Sequence, residues 1–408
     1  MTIYLLEALD TQFYRGTLPF DAGADGFATT EPLPWPSSLY GAWRTVGLVQ
    51  SGNLKNNTVA NHPVWGDKDK RGSFSLKGPL LWRDRYGSQE IMMPMPADLV
   101  STETEQCRHC IPDPSVKLAT CSDMQETALG LARLQVRQHS GRGKLTTKEN
   151  HFLTHDQLAN YLTQNLHDIP LSEDAFPPGS CLFHPEPRIG IKRCQASHQA
   201  EEGMLYAARH HRFAAPCHSQ KKLGYWVHLD AGNGRQLDLP QEGVLKLGGE
   251  GRAARYQQLA ETDPLGSTAW TAASRSKIVD LIAQQGRFKL YLLTPGLFGG
   301  RAHPFVQSDG TVTLTVNQAI QATLVGLATY KPVLIGGWDM QKKFPKPLIT
   351  GMPAGTVYFF QLNDVPQSVE QRQQAAQQVF DALNFQTIGQ DDINKEGFGL
   401  VLVGGWYV

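Results

Sequence analysis

Histidine and cysteine are the residue types in this sequence whose spacing could support chemistry. His210 and His211 are adjacent, and an imidazole beside the attacked phosphate is the general acid or base that a ribonuclease needs. Neighbouring residues on a strand point to opposite faces, so the two rings cannot both reach one phosphate. We therefore predict that these histidines lie at the surface or contact RNA, and keep catalysis as the alternative.

Cysteines are spaced for metal binding at one place in the chain. Cys107 and Cys110 form a CxxC motif, and Cys121 follows eleven residues later. Two such thiolates can bind one Zn²⁺, but a structural zinc site needs four ligands. The fourth ligand is open among His109, His139 and His151. Because a single CxxC motif is weak evidence, we predict reduced thiols, no bound metal and no cofactor, and keep zinc as the alternative.

Signatures of common enzymes are absent from the sequence. It has no GxGxxG motif that opens a helix after a strand, no Walker A motif, no HExxH and no GxSxG. The 38 Lys and Arg offset 38 Asp and Glu, so the chain lacks the overall basic field that drives non-specific nucleic-acid binding. Residues 187–222, however, hold seven Lys or Arg against two Glu. Any RNA contact is therefore predicted to be local, with this stretch as the candidate phosphate surface.

Length and composition predict a folded, loop-rich protein. The 408 residues exceed one ordinary domain, and 41% hydrophobic content with 39 Gly and 25 Pro indicates packed units joined by many turns. The N-terminus lacks the basic and apolar segments of a signal peptide, and no apolar run approaches the ~18 residues that span a bilayer. Six cysteines do not resemble a secreted disulfide framework. We predict a cytoplasmic protein with no membrane contact.

Apolar spacing predicts the elements that position these residues. Residues 3–9 suit a buried strand, and a helix begins at Pro36, which is followed by two serines of the type that cap helices. The apolar run 288–295 repeats the strand-first opening of the chain. Further helices are predicted at 154–165 and 276–284 and after a capping box at Ser368, and further strands at 205–213, 225–229, 244–247, 311–316, 321–329, 332–335 and 356–362.

Strand and helix combinations that occur twice predict the fold class. We expect an α+β protein with two ferredoxin-like domains. The first would span residues 1–255 and carry a long insertion at about 51–180, and the second would span 256–408 and end in a glycine-rich segment.

Three glycine-rich turns lie beside positive or aromatic residues. They are 248–252, 336–339 with the lysines that follow, and the terminal segment 397–406. Glycine lets a backbone approach a polyanion closely, Lys and Arg neutralise phosphates, and an aromatic face can stack on a base. A tight turn beside a core tryptophan is the alternative at each place. Their repetition next to predicted strand ends favours RNA binding.

Several short blocks, in the correct order, resemble the family of subunit three of the type III-B CRISPR Cmr complex, within the RAMP superfamily. The blocks are DTQFYR (10–15), LPWPSSLYGAWR (33–44), RIGI (188–191), EGMLY (202–206), LGGEGR (247–252), LYLLTP (290–295), GGWD (336–339) and PAGTVY (353–358). Gly16, Trp35 and Ser38 depart from the usual family residues. Residues 98–150 match no family segment.

The resemblance implies two ferredoxin-like domains, no nuclease activity, and a place beside the large polymerase-palm subunit and the backbone RAMP subunits. There the family holds the repeat-derived 5′ tag of the guide RNA (crRNA) in antiviral defence. The RNA-binding residues that the resemblance implies are Arg15, Ser37, Ser38, Arg44, Arg188, Lys192, Gly249, Arg252, Trp338, Lys342, Lys343, Gly397 and Gly399. The two serines would lie where free helix amides favour phosphate.

Two other functions remain open at this point. One is a RAMP-type endoribonuclease that processes the guide RNA precursor, which would need a histidine close to the first strand or first helix; the nearest is His62. The other is a scaffold that contacts only proteins. Arg44 has an alternative role of its own, an internal salt bridge, because the other face of its helix is apolar.

Overall fold

The computed structural model describes residues 2–17, 27–55, 58–85, 87–101, 106–117, 131–136, 145–164, 169–170, 172, 174–214, 221–259, 268–305, 313–316, 320–339 and 344–408. In this part of the chain a few α-helices pack on sheets made mostly of antiparallel strands. None of the described helices is long and apolar enough to cross a membrane.

The elements follow one another along the whole chain. The helices are Pro36–Gln50 (α1), His155–Leu162 (α2), Thr268–Gln285 (α3), Val369–Leu383 (α4) and Asp391–Asn394 (α5). The strands are Thr2–Ala8 (β1), Phe27–Ala28 (β2), Leu54–Lys55 (β3), Thr58–Val59 (β4), Ser75–Arg85 (β5), Ser88–Pro94 (β6), Leu99–Ser101 (β7), Gln106–Lys117 (β8), Ala132–Val136 (β9), Thr146–Thr147 (β10), Phe152–Leu153 (β11), Ile169–Pro170 (β12), Phe183–Arg193 (β13), Ala200–Phe213 (β14), Lys221–Asp230 (β15), Glu242–Lys246 (β16), Ala253–Gln258 (β17), Arg287–Leu292 (β18), Thr313–Val316 (β19), Ile320–Ala328 (β20), Val333–Ile335 (β21), Trp338–Asp339 (β22), Phe344–Pro345 (β23), Ile349–Gly351 (β24), Val357–Leu362 (β25), Gln386–Thr387 (β26) and Leu400–Gly405 (β27).

The first large sheet is built around β1. Its strand order is β11-β6-β5-β15-β1-β17-β16, and β1 pairs antiparallel with both β15 and β17. Tyr4 and Leu6 pack on the face that α1 covers, whereas Ile3 and Leu5 pack into a second core on the other face. Because both faces are covered, the strand has an apolar residue at nearly every position. The strand predicted at 3–9 is thereby confirmed.

Helix α1 packs on the Tyr4 face of this sheet. Trp43 is fully buried, and its ring centroid lies 4.6 Å from that of Tyr4. Truncating a core tryptophan typically costs about 3–5 kcal/mol of stability. The helix is therefore held by its apolar stripe, as the i, i+3, i+4 spacing predicts.

The start of α1 differs in one detail from the prediction. Trp35 is the N-cap residue and Pro36 is the first helical residue, so Ser37 and Ser38 lie inside the first turn and do not cap the helix. Proline suits this position because its missing N–H would have no partner within the helix. Ser38 is exposed and Ser37 is half-buried.

The second large sheet is built around β18, with the order β19-β20-β25-β18-β27-β26. Helices α3 and α4 pack against each other and against β27. The predicted cap of α4 is confirmed, because the Ser368 hydroxyl accepts a hydrogen bond from the Gln371 N–H at 3.1 Å. The helix predicted at 276–284 is confirmed as α3.

One hydrophobic core joins the two large sheets. It contains Ile3 and Leu5 of β1 together with Phe288 and Leu290 of β18. Residues 75–94, which the predicted insertion included, form β5 and β6 of the first sheet, and β5 pairs with β15. Strand β17 continues past the predicted boundary at 255. The division of the chain into two domains stays a prediction.

A buried ion pair fastens the inserted strands to the second sheet. Lys289 Nζ on β18 lies 3.1 Å from Asp98 Oδ2, and each side chain is only 1% exposed. The Tyr161 hydroxyl of α2 donates to Asp98 Oδ1 at 2.8 Å. Burial opposes ionisation of Asp98, but the charge of Lys289, the nearby His109 ring and the hydrogen bond from Tyr161 outweigh it, so the pKa of Asp98 lies below its usual value.

Candidate nucleic-acid interface

Three arginines and three carboxylates meet where the hairpin β13–β14 approaches the end of β1. We call this group the arginine cluster, and it comprises Asp10, Glu186, Arg188, Arg212, Glu250 and Arg252. Asp10 follows β1. Glu186, Arg188 and Arg212 project from one face of the hairpin, and Glu250 and Arg252 lie in the turn between β16 and β17. Three separate segments of the first part of the chain thus converge on one charged surface.

Asp10 and Glu186 are the hubs of the cluster. Arg252 Nη1 lies 2.5 Å from Asp10 Oδ2, Arg188 Nη2 lies 2.9 Å from Glu186 Oε1, and Arg212 Nε donates to Glu186 Oε2 at 2.6 Å. A hydrogen bond from the Thr11 N–H, followed by the nearby arginine charges, lowers the pKa of Asp10. Hydrogen bonds from Arg188 and Arg212 likewise lower the pKa of Glu186. Both carboxylates are therefore ionised at neutral pH.

The glycine turn 248–252 is shaped by its contact with the loop after β1. The Gly249 N–H donates to the Phe13 carbonyl oxygen at 2.8 Å, and a Cβ on Gly249 would lie 2.7 Å from Phe13 Cδ1. Gly248 has a φ of 88°, which favours glycine. A side chain at either position would push the turn off the loop. The turn therefore fixes Arg252 beside Asp10.

His210 and His211 project from opposite faces of β14 as predicted, but both are buried, which corrects the expectation that they lie at the surface. His210 stacks on Phe13 with ring centroids 4.8 Å apart, and its Nε2 lies 3.2 Å from Glu250 Oε2. His211 packs edge-on against Phe183, with centroids 5.1 Å apart. Burial lowers the pKa of His210, and it lowers the pKa of His211 to about 4. Both rings are neutral at pH 7 and serve packing.

Lowering the pH from 7 to 4 should destabilise the fold through His211. Its pKa is about 6.5 in the unfolded chain and about 4 when folded. Between these values the unfolded state binds a proton that the folded state does not, so the free energy of unfolding falls, by about 3 kcal/mol in total. Urea unfolding across this range checks the effect. The variant His211→Gln should show a shallower pH dependence, and equal slopes in the two proteins would contradict the assignment.

The CxxC cysteines lie on a strand rather than in a ligand-binding loop. Cys107 and Cys110 both belong to β8, where residues three apart point to opposite faces. Burial raises the pKa of each thiol to about 12, so neither is a thiolate at neutral pH. Among the described residues no group of three or more His, Cys, Asp or Glu side chains could hold a metal ion. Cys121 and His139 lie outside the described residues.

A second surface lies at the start of α1 and carries the hairpin of β21 and β24. Trp35 packs with Val333 against a small cluster formed by Leu297, Ile335 and Phe398. Beyond this cluster, Trp338 of β22 and Phe344 of β23 are exposed by 51% and 68%. The cluster joins the N-cap of α1, which Ser37 and Ser38 follow, to β21, which Trp338 follows, along one edge. Lys342 and Lys343 lie outside the described residues.

Loop 10–17 connects this edge to the arginine cluster. It begins at Asp10, and at its far end Thr17 Cγ2 lies 4.0 Å from the place where a Cβ on Gly336 would be. Arg15 is exposed midway along the loop, and its backbone forms an isolated antiparallel β-bridge with Thr30. We call these two surfaces, with the exposed Arg15 between them, the strip; Thr11, Gln12, Phe13 and Tyr14 of the loop are buried.

Arg44 and Lys192, which the resemblance implied as RNA-binding residues, make their contacts outside the arginine cluster. Arg44 donates from Nε to the Trp65 carbonyl oxygen at 2.6 Å and from Nη2 to the Asp67 carbonyl, so its guanidinium holds the 62–72 loop rather than facing solvent. Lys192 is exposed on the hairpin and forms a salt bridge to Glu201 at 2.7 Å. The contacts of Arg44 give it a structural role. Its partners are backbone carbonyls, whereas the alternative predicted from the sequence was a salt bridge to an acidic side chain.

Gly397 and Gly399 are buried at the junction between the two large sheets. A Cβ on Gly397 would lie 2.8 Å from the Gly78 carbonyl oxygen of β5, and one on Gly399 would clash with the Ile388 carbonyl. Both have a positive φ, at 98° and 72°. Glycine is required here by packing and backbone conformation, so we leave both residues out of the RNA surface.

Sequence reasoning missed the carboxylates of the cluster. Asp10 opens the DTQFYR block, but its partner Arg252 is 242 positions away in the chain. Glu186 and Arg188 show the i, i+2 spacing of one strand face, and this signal could have paired them. Arg212 could be joined to them only through the register of the hairpin.

The family model described as CRISPR-associated protein (Cas_Cmr3) matches residues 4–406. The chain belongs to this family. The match covers nearly the whole sequence, so the resemblance to the third subunit of type III-B Cmr complexes is confirmed. Both surfaces described above lie inside the matched residues.

Chains of three solved structures resemble this chain more distantly. A chain of the type III-B Cmr-beta complex bound to cognate target RNA is 13% identical, with a TM-score of 0.47 over 92% of this chain and 94% of that one. A chain of the same complex bound to target RNA and AMPPnP is also 13% identical, with a TM-score of 0.44 over 88% and 86%. A chain of the type III-A Csm3-Csm4 subcomplex is 11% identical, with a TM-score of 0.36 over 89% and 93%. Likenesses this distant carry no functional weight. A search of curated proteins found no match.

Proposed function

We propose that this chain is a guide-RNA-binding subunit of a type III-B CRISPR effector complex, where it holds the 5′ tag of the guide RNA without cutting it. The observation that carries the proposal is the arginine cluster, which a glycine turn and a strand hairpin hold rigidly at the surface. Membership of the Cas_Cmr3 family supplies the context, and the described geometry supplies a place for phosphate.

The cluster suits a phosphate backbone because its guanidiniums are already oriented. Arg252, Arg188 and Arg212 have side chains exposed by 17%, 34% and 51%, so they form a graded series from the turn outwards. A phosphate can replace a carboxylate as the acceptor of charge-assisted hydrogen bonds from a guanidinium. The three acids balance the three arginines, so the surface attracts RNA only at short range. This arrangement favours one specific ligand over polyanions in general.

The strip that leads from the cluster to the exposed Trp338 suits single-stranded RNA. Arg15 on loop 10–17 would continue the phosphate path, and Ser37 and Ser38 would add donors from the first turn of α1. Trp338 offers an aromatic face for a base. Lys342 and Lys343, which follow it in sequence, would add charge.

We also infer that each large sheet derives from a ferredoxin-like unit. The order β17-β1-β15-β5 repeats in the second sheet as β27-β18-β25-β20, if each set is numbered by its own chain order. Both correspond to the order 4-1-3-2. The first unit has its helix α1 after the first strand, and the second has α4 before the last. The repeat supports a duplicated architecture.

Binding without cleavage fits the environment of the histidines better than nuclease activity does. A general base needs an accessible imidazole, whereas His210 and His211 are buried and neutral. His62 is held within its own loop, because its Nδ1 accepts from the Val64 and Trp65 N–H groups. The large polymerase-palm subunit and the backbone RAMP subunits are the proposed protein partners.

The test compares two labelled guide RNAs that differ only in the 5′ tag. The purified chain should bind the tagged RNA more tightly and leave it intact, with or without divalent metal. The variant His210→Ala removes a buried ring and should lower stability, but it should leave the RNA intact as the unchanged protein does. Metal-independent cutting of repeat RNA that His210→Ala abolishes would establish the endoribonuclease function instead.

A further inference from the structure

Glu250 has an unfavourable backbone conformation in the glycine turn of the arginine cluster. Its φ is 54°, in the left-handed region that favours glycine, and Gly248, Gly249 and Gly251 surround it. A fourth glycine would adopt this conformation with less strain. A residue that is kept in a disfavoured conformation at a candidate site indicates a role for its side chain.

The Glu250 carboxylate is held through one of its two oxygens. Oε2 lies 3.2 Å from Nε2 of His210, whose side chain is completely buried, and 3.6 Å from Arg252 Nη2. His210 Nε2 has no hydrogen-bond partner among the described residues, so its contact with Glu250 orients the carboxylate without a hydrogen bond. Neither contact uses Oε1, and the Glu250 side chain is 39% exposed. Oε1 can therefore accept a hydrogen bond from a ligand.

Charge balance within the cluster does not explain Glu250. Arg252 already pairs with Asp10, because its Nη1 lies 2.5 Å from Asp10 Oδ2, closer than its contact with Glu250. His210 is buried and neutral at pH 7, so it needs no counter-ion. A second carboxylate beside Arg252 would repel a bound phosphate. Glu250 is therefore useful to RNA binding only if it contacts a different group of the ligand.

The chemistry of the carboxylate identifies this group. An ionised carboxylate is only an acceptor, so the ligand must supply the donor. In RNA the 2′ hydroxyl is such a donor, and its carbon is bonded to the carbon that carries the 3′ phosphate oxygen. Because Glu250 Oε2 is 3.6 Å from the Arg252 guanidinium, a phosphate on Arg252 brings this hydroxyl beside Glu250. A DNA strand has no 2′ hydroxyl and would leave the carboxylate next to a phosphate without a hydrogen bond.

We infer that Glu250 accepts a hydrogen bond from a ribose 2′ hydroxyl, which makes the arginine cluster selective for RNA over DNA. The inference deepens the proposed function and rests on it for the phosphate that Arg252 binds. Arg252 then contacts the backbone of the strand, and Glu250 contacts the sugar. The turn keeps the two side chains together, because the Arg252 N–H donates to the Gly249 carbonyl oxygen at 3.2 Å.

The test measures binding of the full chain to two fluorescein-labelled single strands with the sequence of the tag, one of RNA and one of 2′-fluoro RNA. Fluorine removes the hydroxyl proton but keeps the sugar pucker of RNA, so the comparison isolates the donor. The unchanged chain should prefer RNA by roughly tenfold, as expected for one hydrogen bond to a charged group. Glu250→Gly should bind both strands equally, and it should fold because glycine suits a φ of 54°. Glu250→Gln keeps a neutral acceptor and should retain a preference of about threefold.

A matched control is Glu242→Gln on β16. The Glu242 side chain is 66% exposed and pairs with Arg255 at 3.1 Å, outside the arginine cluster. This variant loses one acidic charge, as Glu250→Gln does, but should keep the full preference of the unchanged chain for RNA. Thermal unfolding checks that each variant is folded.

Two outcomes would overturn the inference alone. The first is an unchanged chain with no preference between the two strands, or a preference that persists in Glu250→Gly. The second is tighter binding of both strands by Glu250→Gly and Glu250→Gln with an unchanged ratio, because the carboxylate would then only compete with phosphate for Arg252. If the chain prefers RNA over 2′-fluoro RNA but binds tagged and untagged RNA equally, the proposed function fails and the inference stands. A chain that binds no RNA would overturn both.

Discussion

Replacing Lys289 with methionine is expected to lower the free energy of unfolding by about 3–5 kcal/mol. The substitution leaves the Asp98 carboxylate fully buried with its main counter-charge removed, because Lys289 Nζ is 3.1 Å from Asp98 Oδ2. The substitution would also loosen the contact between two elements, since the Asp98–Lys289 pair fastens the segment before β7 to β18. Equilibrium urea unfolding, followed by tryptophan fluorescence, measures the change.

Two further variants make this expectation specific. The double variant Asp98→Asn/Lys289→Met removes both charges and should recover part of the loss, because an uncompensated charge is costlier than none. The exposed pair Arg275–Asp381, at 2.7 Å, is the matched control, and Arg275→Met should cost no more than about 1 kcal/mol. Equal losses for Lys289→Met and Arg275→Met would show that the buried pair is not a fastening point.

The double variant Arg188→Ala/Arg252→Ala should weaken binding of tagged RNA by roughly ten- to a hundredfold. Each arginine would lose a charge-assisted contact to phosphate. The slope of log affinity against log salt concentration should also become shallower by about 1.4, because each phosphate contact that is lost to a single strand contributes ~0.7 to the slope. Fluorescence anisotropy at several salt concentrations measures both quantities.

Controls separate phosphate contact from general charge loss. Arg275→Ala removes one positive charge on α3, against two in the double variant, and should leave both affinity and slope unchanged. Arg44→Ala should reduce stability, because its guanidinium bonds to the Trp65 and Asp67 carbonyls, but should not alter the salt slope. Asp10→Asn should raise affinity, since it removes a carboxylate that competes with phosphate for Arg252. An unchanged slope in Arg188→Ala/Arg252→Ala would contradict the assignment.

Local chemistry explains which elements the sequence alone could predict. β1 and the cap of α4 depend on residues close in the chain, namely an apolar run and the Ser368 hydroxyl with the Gln371 N–H. The short family blocks also indicated the fold. Two of them, DTQFYR and LGGEGR, contact each other through the hydrogen bond from the Gly249 N–H to the Phe13 carbonyl oxygen.

Contacts between distant segments explain what the sequence could not predict. The Asp98–Lys289 pair joins residues 191 positions apart, and no local spacing predicts this contact. Gly397 was assigned to RNA from its glycine-rich surroundings, although the same composition also serves close packing against β5. The burial of His210 likewise follows from the loop after β1, where Phe13 stacks on its ring. In each case the residue type indicates which interactions are possible, and tertiary packing determines which of them forms.

Photocrosslinking of the assembled complex tests whether this chain holds the 5′ tag of the guide RNA. A guide RNA with 4-thiouridine in the 5′ tag would be irradiated, and the crosslinked peptides mapped by mass spectrometry. We expect crosslinks within the strip, in segments 10–17, 186–192, 248–252 and 336–346 of this chain. Efficient crosslinks from the tag to other subunits, with none to this chain, would contradict this expectation.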